Sequence, residues 1–298
     1  MDERERLARR FEADRPRLRA VAYRMLGSLS ESDDAVQETW LRLQRSGADG
    51  VDNLGGWLTT VVARVCLDML RTRTSRREQP LEPDGPEPVV DGARGVDPEH
   101  EALLADAVGL ALLVVLDTLT PAERLAFVLH DMFAVPFEQI APLVERTPAA
   151  ARQLASRARR RVRGTGVEPE PDLDRQRAVV DAFLAAARGG DFDALVALLA
   201  PDVVLRADLG AAAGGVRETR GAAAVAGQAR MFARSAAVAV PVLVNGVAGT
   251  VSLVGGAPHA LLSFTVRDGR VQRLDILADP TRLRRLDLAA VRTDGPES

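Results

Sequence analysis

Residues 147–163, TPAAARQLASRARRRVR, constrain this chain more than any other stretch. Thr147 is a natural helix cap, and Pro148 suits the first helical position, where a missing N–H costs nothing. Ala151, Leu154, Ala155, Ala158 and Val162 recur at helical spacing and make one narrow apolar stripe. The other face carries Arg152, Gln153, Ser156, Arg157, Arg159, Arg160 and Arg163, and between residues 152 and 163 there are six Arg and no acid. A helix this positive repels itself unless a polyanion is near, and DNA is the usual one.

The preceding segments give that helix a context. Thr120-Pro121-Ala122-Glu123 is a capping box with Pro at the first helical position, and it starts a helix through Leu125, Phe127, Val128, Leu129 and Met132. Ala134-Val135-Pro136 breaks it, residues 137–144 read as a short second helix, and Glu145-Arg146-Thr147 is the turn into the basic helix. This is the helix-turn-helix layout, whose last helix enters the major groove with its N-terminal residues near base edges. Arg152 and Gln153 can hydrogen-bond base edges, while the later Arg residues suit phosphates. The competing reading is an amphipathic or partner-binding surface helix.

With 298 residues, 47% apolar and 27% charged, the chain has the composition of a soluble protein of two or three domains. Its formal net charge is −3, so attraction to nucleic acid must come from local Arg clusters. Cys66 is the single cysteine, which excludes an internal disulfide and a Cys-based zinc site. The N-terminus, MDERERLARR, lacks an apolar signal core, and the longest apolar run, residues 108–116, is too short for a bilayer. A cytoplasmic location is expected. No metal and no cofactor is expected, and no catalytic residue is assigned.

Residues 1–78 read as helical. A first helix over 17–26 breaks at Gly27-Ser28, a second over 33–43 is capped by Ser30 or Ser32, and a third covers 57–73 after the Gly/Asp/Asn-rich stretch 47–56. Residues 79–100, dense in Pro, Gly and acids, read as a flexible linker, and 101–164 hold the helix-turn-helix. A second linker, 165–173, leads to a mixed α+β part, 174–290, with helices over 175–188 and 191–199. Strands are expected over 203–206, 238–245, 250–254, 260–266 and 271–277. Asn245-Gly246 and Asp268-Gly269 mark hairpin turns. Helices packed on such a sheet would enclose a pocket.

Three quoted stretches carry a resemblance. SLSESDDAVQETWLRL (28–43), GGWLTTVVARVCLDMLRTRTSRRE (55–78) and the region from Leu119 to Arg163 resemble, in order, the polymerase-docking helix, the promoter −10 helix and region 4 of a bacterial sigma factor of the extracytoplasmic-function (ECF) type. The third part, opening DRQRAVVDAFLAAARGGDFDALVALLAPDVVLRAD (174–208), resembles a SnoaL-like domain. The implied architecture is two all-α sigma domains, a region 2 bundle and a region 4 helix-turn-helix, followed by an α+β cone-shaped SnoaL-like domain. Sigma factors with this extra domain form a subgroup in which it is thought to modulate the sigma core in place of a separate anti-sigma protein. Three of the subgroup's motifs are altered here. Asp208 is followed by Leu209-Gly210-Ala211 in place of three glycines, Ala278-Asp279-Pro280-Thr281-Arg282-Leu283 approximates Asn-Pro-Asp-Lys-Leu, and Gln79-Pro80-Leu81-Glu82-Pro83 lacks the linker motif's Trp.

The resemblance implies core RNA polymerase and promoter DNA, at −35 and −10 elements, as partners, and leaves a place for a small ligand in the third part. Asp33, Asp34, Gln37, Glu38, Trp40 and Arg42 are the candidates for polymerase docking. Asn53, Trp57, Arg64, Arg71, Arg73, Arg76 and Arg77 are candidates for the opened −10 strands, where the 52–56 loop would hold a flipped base and Trp57 would stack on one. Arg152, Gln153, Ser156, Arg157 and Arg160 would contact duplex DNA. Asp208, His259 and Asp275 are the candidates for the third part's pocket. Two other functions stay open at this point: a helix-turn-helix regulator with a ligand-sensing C-terminal domain, and a SnoaL-type enzyme on a DNA-binding scaffold.

Overall fold

The computed structural model describes residues 3–47, 51–76, 85–93, 109–164, 170–233 and 238–288. They form two compact units. A helical unit takes the described residues of Met1–Glu87 and Leu113–Gly164, and a sheet unit takes those of Pro88–His100, Ala107–Leu112 and Thr165–Ser298. Among the described residues no helix is long and apolar enough to cross a membrane.

The helical unit opens with α1 (Glu3–Leu26), α2 (Leu29–Ser46) and α3 (Leu54–Arg76). Helix α1 starts well before residue 17. Its early turns are rich in charge and carry few apolar residues, so periodicity did not reveal them; Arg15 grips Glu12 through two bonds of 2.8 Å one turn earlier. The cap of α2 is Ser28, with Ser30 and Ser32 inside the helix. Gly27 stops α1 at φ 72°, which leaves Ser28 extended and free to accept from the Glu31 N–H. Leu18, Val21, Ala22, Ala35, Val36, Leu43, Leu58 and Val62 are buried.

Helices α4 (Leu110–Asp117), α5 (Pro121–Phe127), α6 (Phe137–Leu143) and α7 (Pro148–Arg163) follow, with a π-helical turn, Val128–Met132, extending α5. The Thr120–Glu123 capping box forms in both directions. Thr147 caps α7 through the Ala150 N–H, with Pro148 in the first turn. The two halves of this unit meet at a buried arginine. The Nε of Arg124 on α5 donates to the Arg24 carbonyl near the end of α1 at 3.1 Å, and its Nη1 donates to Asp117 at 2.8 Å. Burial lowers the Arg124 pKa, and Asp117 acts against that and holds the charge.

The sheet unit is one seven-stranded sheet in the order β1-β4-β5-β6-β7-β2-β3. The strands are β1 (Val90–Gly92), β2 (Leu199–Asp208), β3 (Val216–Arg220), β4 (Val238–Val244), β5 (Val247–Val254), β6 (Ala257–Arg267) and β7 (Arg270–Leu277). Only β2 and β7 run parallel. Register shifts in the β2–β7, β5–β6 and β6–β7 pairings bend the sheet. Helices α8 (Leu173–Gly189), α9 (Phe192–Leu198) and α10 (Ala222–Ala233) give Val180, Phe183, Leu195, Val225 and Ala226 to a core shared with Leu205, Phe264, Leu274 and Ile276. Phe183 meets Phe264 edge-on at 5.5 Å between centroids. Gly249 sits where a Cβ would lie 2.5 Å from the Leu262 carbonyl and 2.6 Å from a Val244 methyl, so only glycine lets β4, β5 and β6 close up.

Strand β1 lies inside the stretch that its composition marks as a flexible linker. Val90, Asp91 and Gly92 pair with Val244, Leu243 and Val242. Asn245 closes the β4–β5 hairpin at φ 52° and bonds Val89 twice: its side-chain oxygen accepts the Val89 N–H at 3.2 Å, and its own N–H donates to the Val89 carbonyl at 2.8 Å. Arg177 on α8 donates to the Ala93 carbonyl beyond. The strand escaped sequence reading because its partner lies about 150 residues away, beyond the reach of any local pattern.

Cys66 is wholly buried in α3, and burial pushes its thiol well above its ordinary value against the opposing charge of Arg124. The thiolate is the reactive form. The folded chain should therefore leave an aromatic disulfide reagent unreacted at pH 7.5 and release one equivalent of product after denaturation. Because the folded pKa is raised, this thiol's contribution to stability is full below the unfolded value of about 8.5 and is lost as pH rises past it. Denaturant midpoints that climb between pH 8 and 10 would contradict this.

Candidate nucleic-acid interface and sheet cavity

Helix α7 turns Ala151, Ala155, Ala158 and Val162 inward. Arg152, Gln153, Ser156, Arg157 and Arg160 are exposed on the opposite side. Its arginines are not equivalent. Arg157 and Arg161 reach Glu123 of the capping box at 3.7 and 3.1 Å, and Arg159 pairs with Asp131. Arg152 lies over the Phe137 ring at 5.2 Å. The exposed face of Arg152, Gln153, Ser156 and Arg160 thus stays available, while the arginines beside it clamp α7 to the preceding helix. The turn before α7 is tight, with Glu145 in the left-handed region at φ 54°.

The other candidate DNA residues lie on α3 and just before it. Asn53 does not line an open loop. Its side chain accepts the Gly56 N–H at 3.0 Å, and its carbonyl accepts the Trp57 N–H, so residues 54–56 are the first turn of α3. The expected base-holding loop is shortened by that turn. Trp57 is half-buried and Arg64 is exposed. Arg71 is exposed and lies 3.8 Å from Glu145 in the turn before α7. Arg73 is engaged with Glu31 and with the Leu26 carbonyl. Arg76 is the last residue of α3, and Arg77 lies outside the described residues.

Helix α2 presents Asp34 and Gln37 to solvent. Asp33 receives two bonds from Arg19 at 2.7 and 3.1 Å. Glu38 accepts from Arg42 one turn on, and this bond, with the Arg42 and Arg45 charges, holds its carboxyl below the usual range. Trp40 is half-buried with its ring 5.0 Å from Phe11, so it anchors the helix, while the neighbouring Leu41 is 42% exposed. This is a charged helix face with one exposed apolar residue, a suitable composition for a protein contact.

In the sheet unit an apolar cavity of about 100 Å³ lies between α8, α10 and strands β2, β4, β5, β6 and β7. Of the three pocket candidates, only His259 lines it. Asp275 is 1% exposed and holds Arg273 through bonds of 2.8 and 3.0 Å; burial works against the Arg273 charge, and Asp275 outweighs that, so the guanidinium pKa is raised. Asp208 pairs with Arg282 and accepts the Gly210 N–H at 3.2 Å. Gly210, at φ 78°, lies so close to Asp279 that a Cβ would come within 2.8 Å of its carboxylate. The two altered motif segments, around Asp208 and Asp279, therefore meet and lock each other. Two lining residues that sequence reading missed are Thr250 and Ser252. Their alternation with Val251 on β5 was the signal available.

Residues 10–76 match sigma-70 region 2, and residues 109–162 match sigma-70 region 4. The chain is 40% identical over 287 residues to the ECF RNA polymerase sigma factor SigJ of Mycobacterium tuberculosis, with 91% of each chain covered. This chain belongs to the ECF RNA polymerase sigma factor family. It is also 32% identical over 279 residues to the probable ECF RNA polymerase sigma factor SigI of the same species, covering 92% of this chain and 93% of the relative. The crystal structure of M. tuberculosis SigJ matches with a TM-score of 0.73 at 35% identity over 94% of this chain and 99% of that one. The match takes in the sheet unit, which is SnoaL-like. The protein is a sigma factor that directs promoter-specific initiation by RNA polymerase. A regulator working through a helix-turn-helix alone does not account for a chain carrying both region 2 and region 4.

The buried pair in this sigma factor's sheet unit should dominate its stability. Arg282→Ala leaves Asp208 charged and without its partner, at a cost of about 3 kcal/mol or more. Arg220→Ala removes an exposed pair with Glu218 and should cost about 0.5 kcal/mol or less. Urea denaturation of both variants beside the parent checks the contrast, and equal midpoints would refute it.

Proposed function

We propose that this sigma factor reads the −35 element with α7, meets the −10 element with α3, docks on core polymerase with α2, and is modulated by its SnoaL-like unit. Arg152 and Gln153 sit in the first turns of α7, where a recognition helix meets base edges; Ser156 and Arg160 follow toward the phosphates, and Arg157 joins them by giving up its long contact with Glu123. Asn53, Trp57, Arg64, Arg71, Arg73, Arg76 and Arg77 serve the opened strands. Arg71 and Arg73 exchange their Glu145 and Glu31 partners for phosphates. The Arg71–Glu145 pair is exposed, worth about 0–1 kcal/mol and screened by salt, so a polyanion competes readily there, whereas the part-buried Arg73–Glu31 pair yields less easily. Asp33, Asp34, Gln37, Glu38, Trp40 and Arg42 form the docking face. The tethering of both DNA sites to polymerase lets each be weak alone.

The observation that carries the regulatory part is the seating of residues 89–93. They lie between the region 2 and region 4 matches, and they are held by β4, Asn245 and Arg177 of the SnoaL-like unit. A unit that grips the chain between two polymerase-binding regions can set how far apart those regions reach. The ion pairing of Asp208 and Asp275 supports regulation over catalysis, since both carboxylates are already neutralised by arginines. Sigma factors as a family are not enzymes.

Two measurements test this reading. In promoter-duplex titrations of the holoenzyme against salt, Arg160→Ala should flatten the log–log slope by about 0.9. Arg159→Ala, which removes an arginine already paired with Asp131, should change it less. In run-off transcription with core polymerase, Asn245→Ala removes the side-chain bond to the Val89 N–H and keeps the backbone one, a loss of about 1.4 kcal/mol or roughly tenfold in the seating equilibrium. Output should shift severalfold, its direction giving the sign of control. Unchanged output at every promoter, with normal polymerase binding, would overturn the regulatory role.

A further inference from the structure

The cavity in the SnoaL-like unit carries a cost that the fold does not explain. Thr250 and Ser252 are 1% and 6% exposed, line the cavity, and have hydroxyl oxygens with no hydrogen-bond partner among the described residues. They stand two residues apart on β5, so they share a face of the strand. Leaving a hydroxyl dry and unpaired is unfavourable, and replacing it by an apolar group of the same shape is neutral or stabilising. Two such groups side by side in an otherwise apolar wall are poor for folding and well suited to holding a polar atom that arrives from outside.

The rest of the wall defines that guest. Phe183, Leu209, Leu262, Leu274 and Ile276 are apolar, and among the described residues no Asp, Glu or Arg lines the cavity. A charged guest would lose its water and find no counter-charge there. His259 lines the cavity and is exposed, so the mouth lies beside it. The volume of about 100 Å³ is of the order that takes a single six-membered ring, since a dry cavity of about 150 Å³ holds benzene. Anything larger must project past His259.

We propose that this cavity is a binding site for a small neutral molecule, whose apolar ring fills the Phe183–Leu262–Ile276 wall and whose one hydroxyl or carbonyl oxygen meets Thr250 and Ser252. The site is a sensor pocket. Strand β5 pairs along its length with β4, and β4 carries the strand at residues 90–92. Occupancy therefore acts one strand away from the segment between regions 2 and 4; this link rests on the regulatory reading above, while the binding itself does not.

The test uses the full chain and phenol as the probe, followed by isothermal titration and by the amide shifts of Thr250 and Ser252. Toluene is the comparator without a hydroxyl, and benzoate is the charged one. Phenol should bind saturably and move both amides, and benzoate should not bind. The double variant Thr250→Val, Ser252→Ala should weaken phenol by about tenfold, leave toluene unchanged or tighter, and fold at least as firmly as the parent. Absence of saturable phenol binding, benzoate binding as well as phenol, or equal phenol affinity in parent and variant would each overturn the proposal. Because binding is read directly, its failure is distinct from a failure of strand release to alter transcription.

Discussion

Asn245 performs two tasks that few residues can combine. It takes the left-handed backbone conformation that closes the β4–β5 hairpin, and its short amide side chain accepts the Val89 N–H. A glycine would close the turn without the second bond, and most other side chains would resist the conformation. Through this residue a three-residue strand becomes the last member of a seven-stranded sheet and covers the edge of β4. The seating of residues 89–93, between region 2 and region 4, follows from that edge being filled, and so does the regulatory role argued for the SnoaL-like unit.

The arginines show how one residue type can be divided between structure and function. The chain has no lysine and a net charge of −3, so its affinity for DNA depends on which arginines are left unpaired at the surface. Arg124 is buried with Asp117 and joins the two halves of the helical unit. Arg157, Arg159 and Arg161 lean on Glu123 and Asp131 and fix the angle of α7 against α5 and its π-helical extension. Arg152 and Arg160 remain on the open face. The same acids that pair the first group thus sharpen the pattern of the second, because a helix held at several points along one side presents the other side in a single orientation.

What could be read from the sequence was what is local. The capping box at Thr120, the Thr147–Pro148 start and the Asn245-Gly246 turn are each written within four residues, and each stands where the residues imply. Strand β3 was not legible, because Val216–Arg220 is polar and largely exposed at the far end of the sheet. Nor was α10, whose many alanines blur the apolar stripe. The same divide runs through the candidate sites. The outward arginines of α7 follow from a period of 3.6. That Arg73 lies on Glu31 and that Asp208 is spent on Arg282 depend on partners that the sequence does not place together.

Strand β5 gathers these constraints. One face carries Thr250 and Ser252 into the cavity, Gly249 lets Val244 of β4 and the Leu262 carbonyl of β6 come close, and the hairpin at its start is the one that holds Val89. At Gly249 there is no room for a side chain between the Leu262 carbonyl and Val244, so β5 packs closely against both of its neighbours. The β6 side is bound along a longer strand and backed by β7, whereas among the described residues a three-residue strand lies beyond β4. The β1 side is therefore the lighter of the two, and it is the side that carries the chain between the region 2 and region 4 matches.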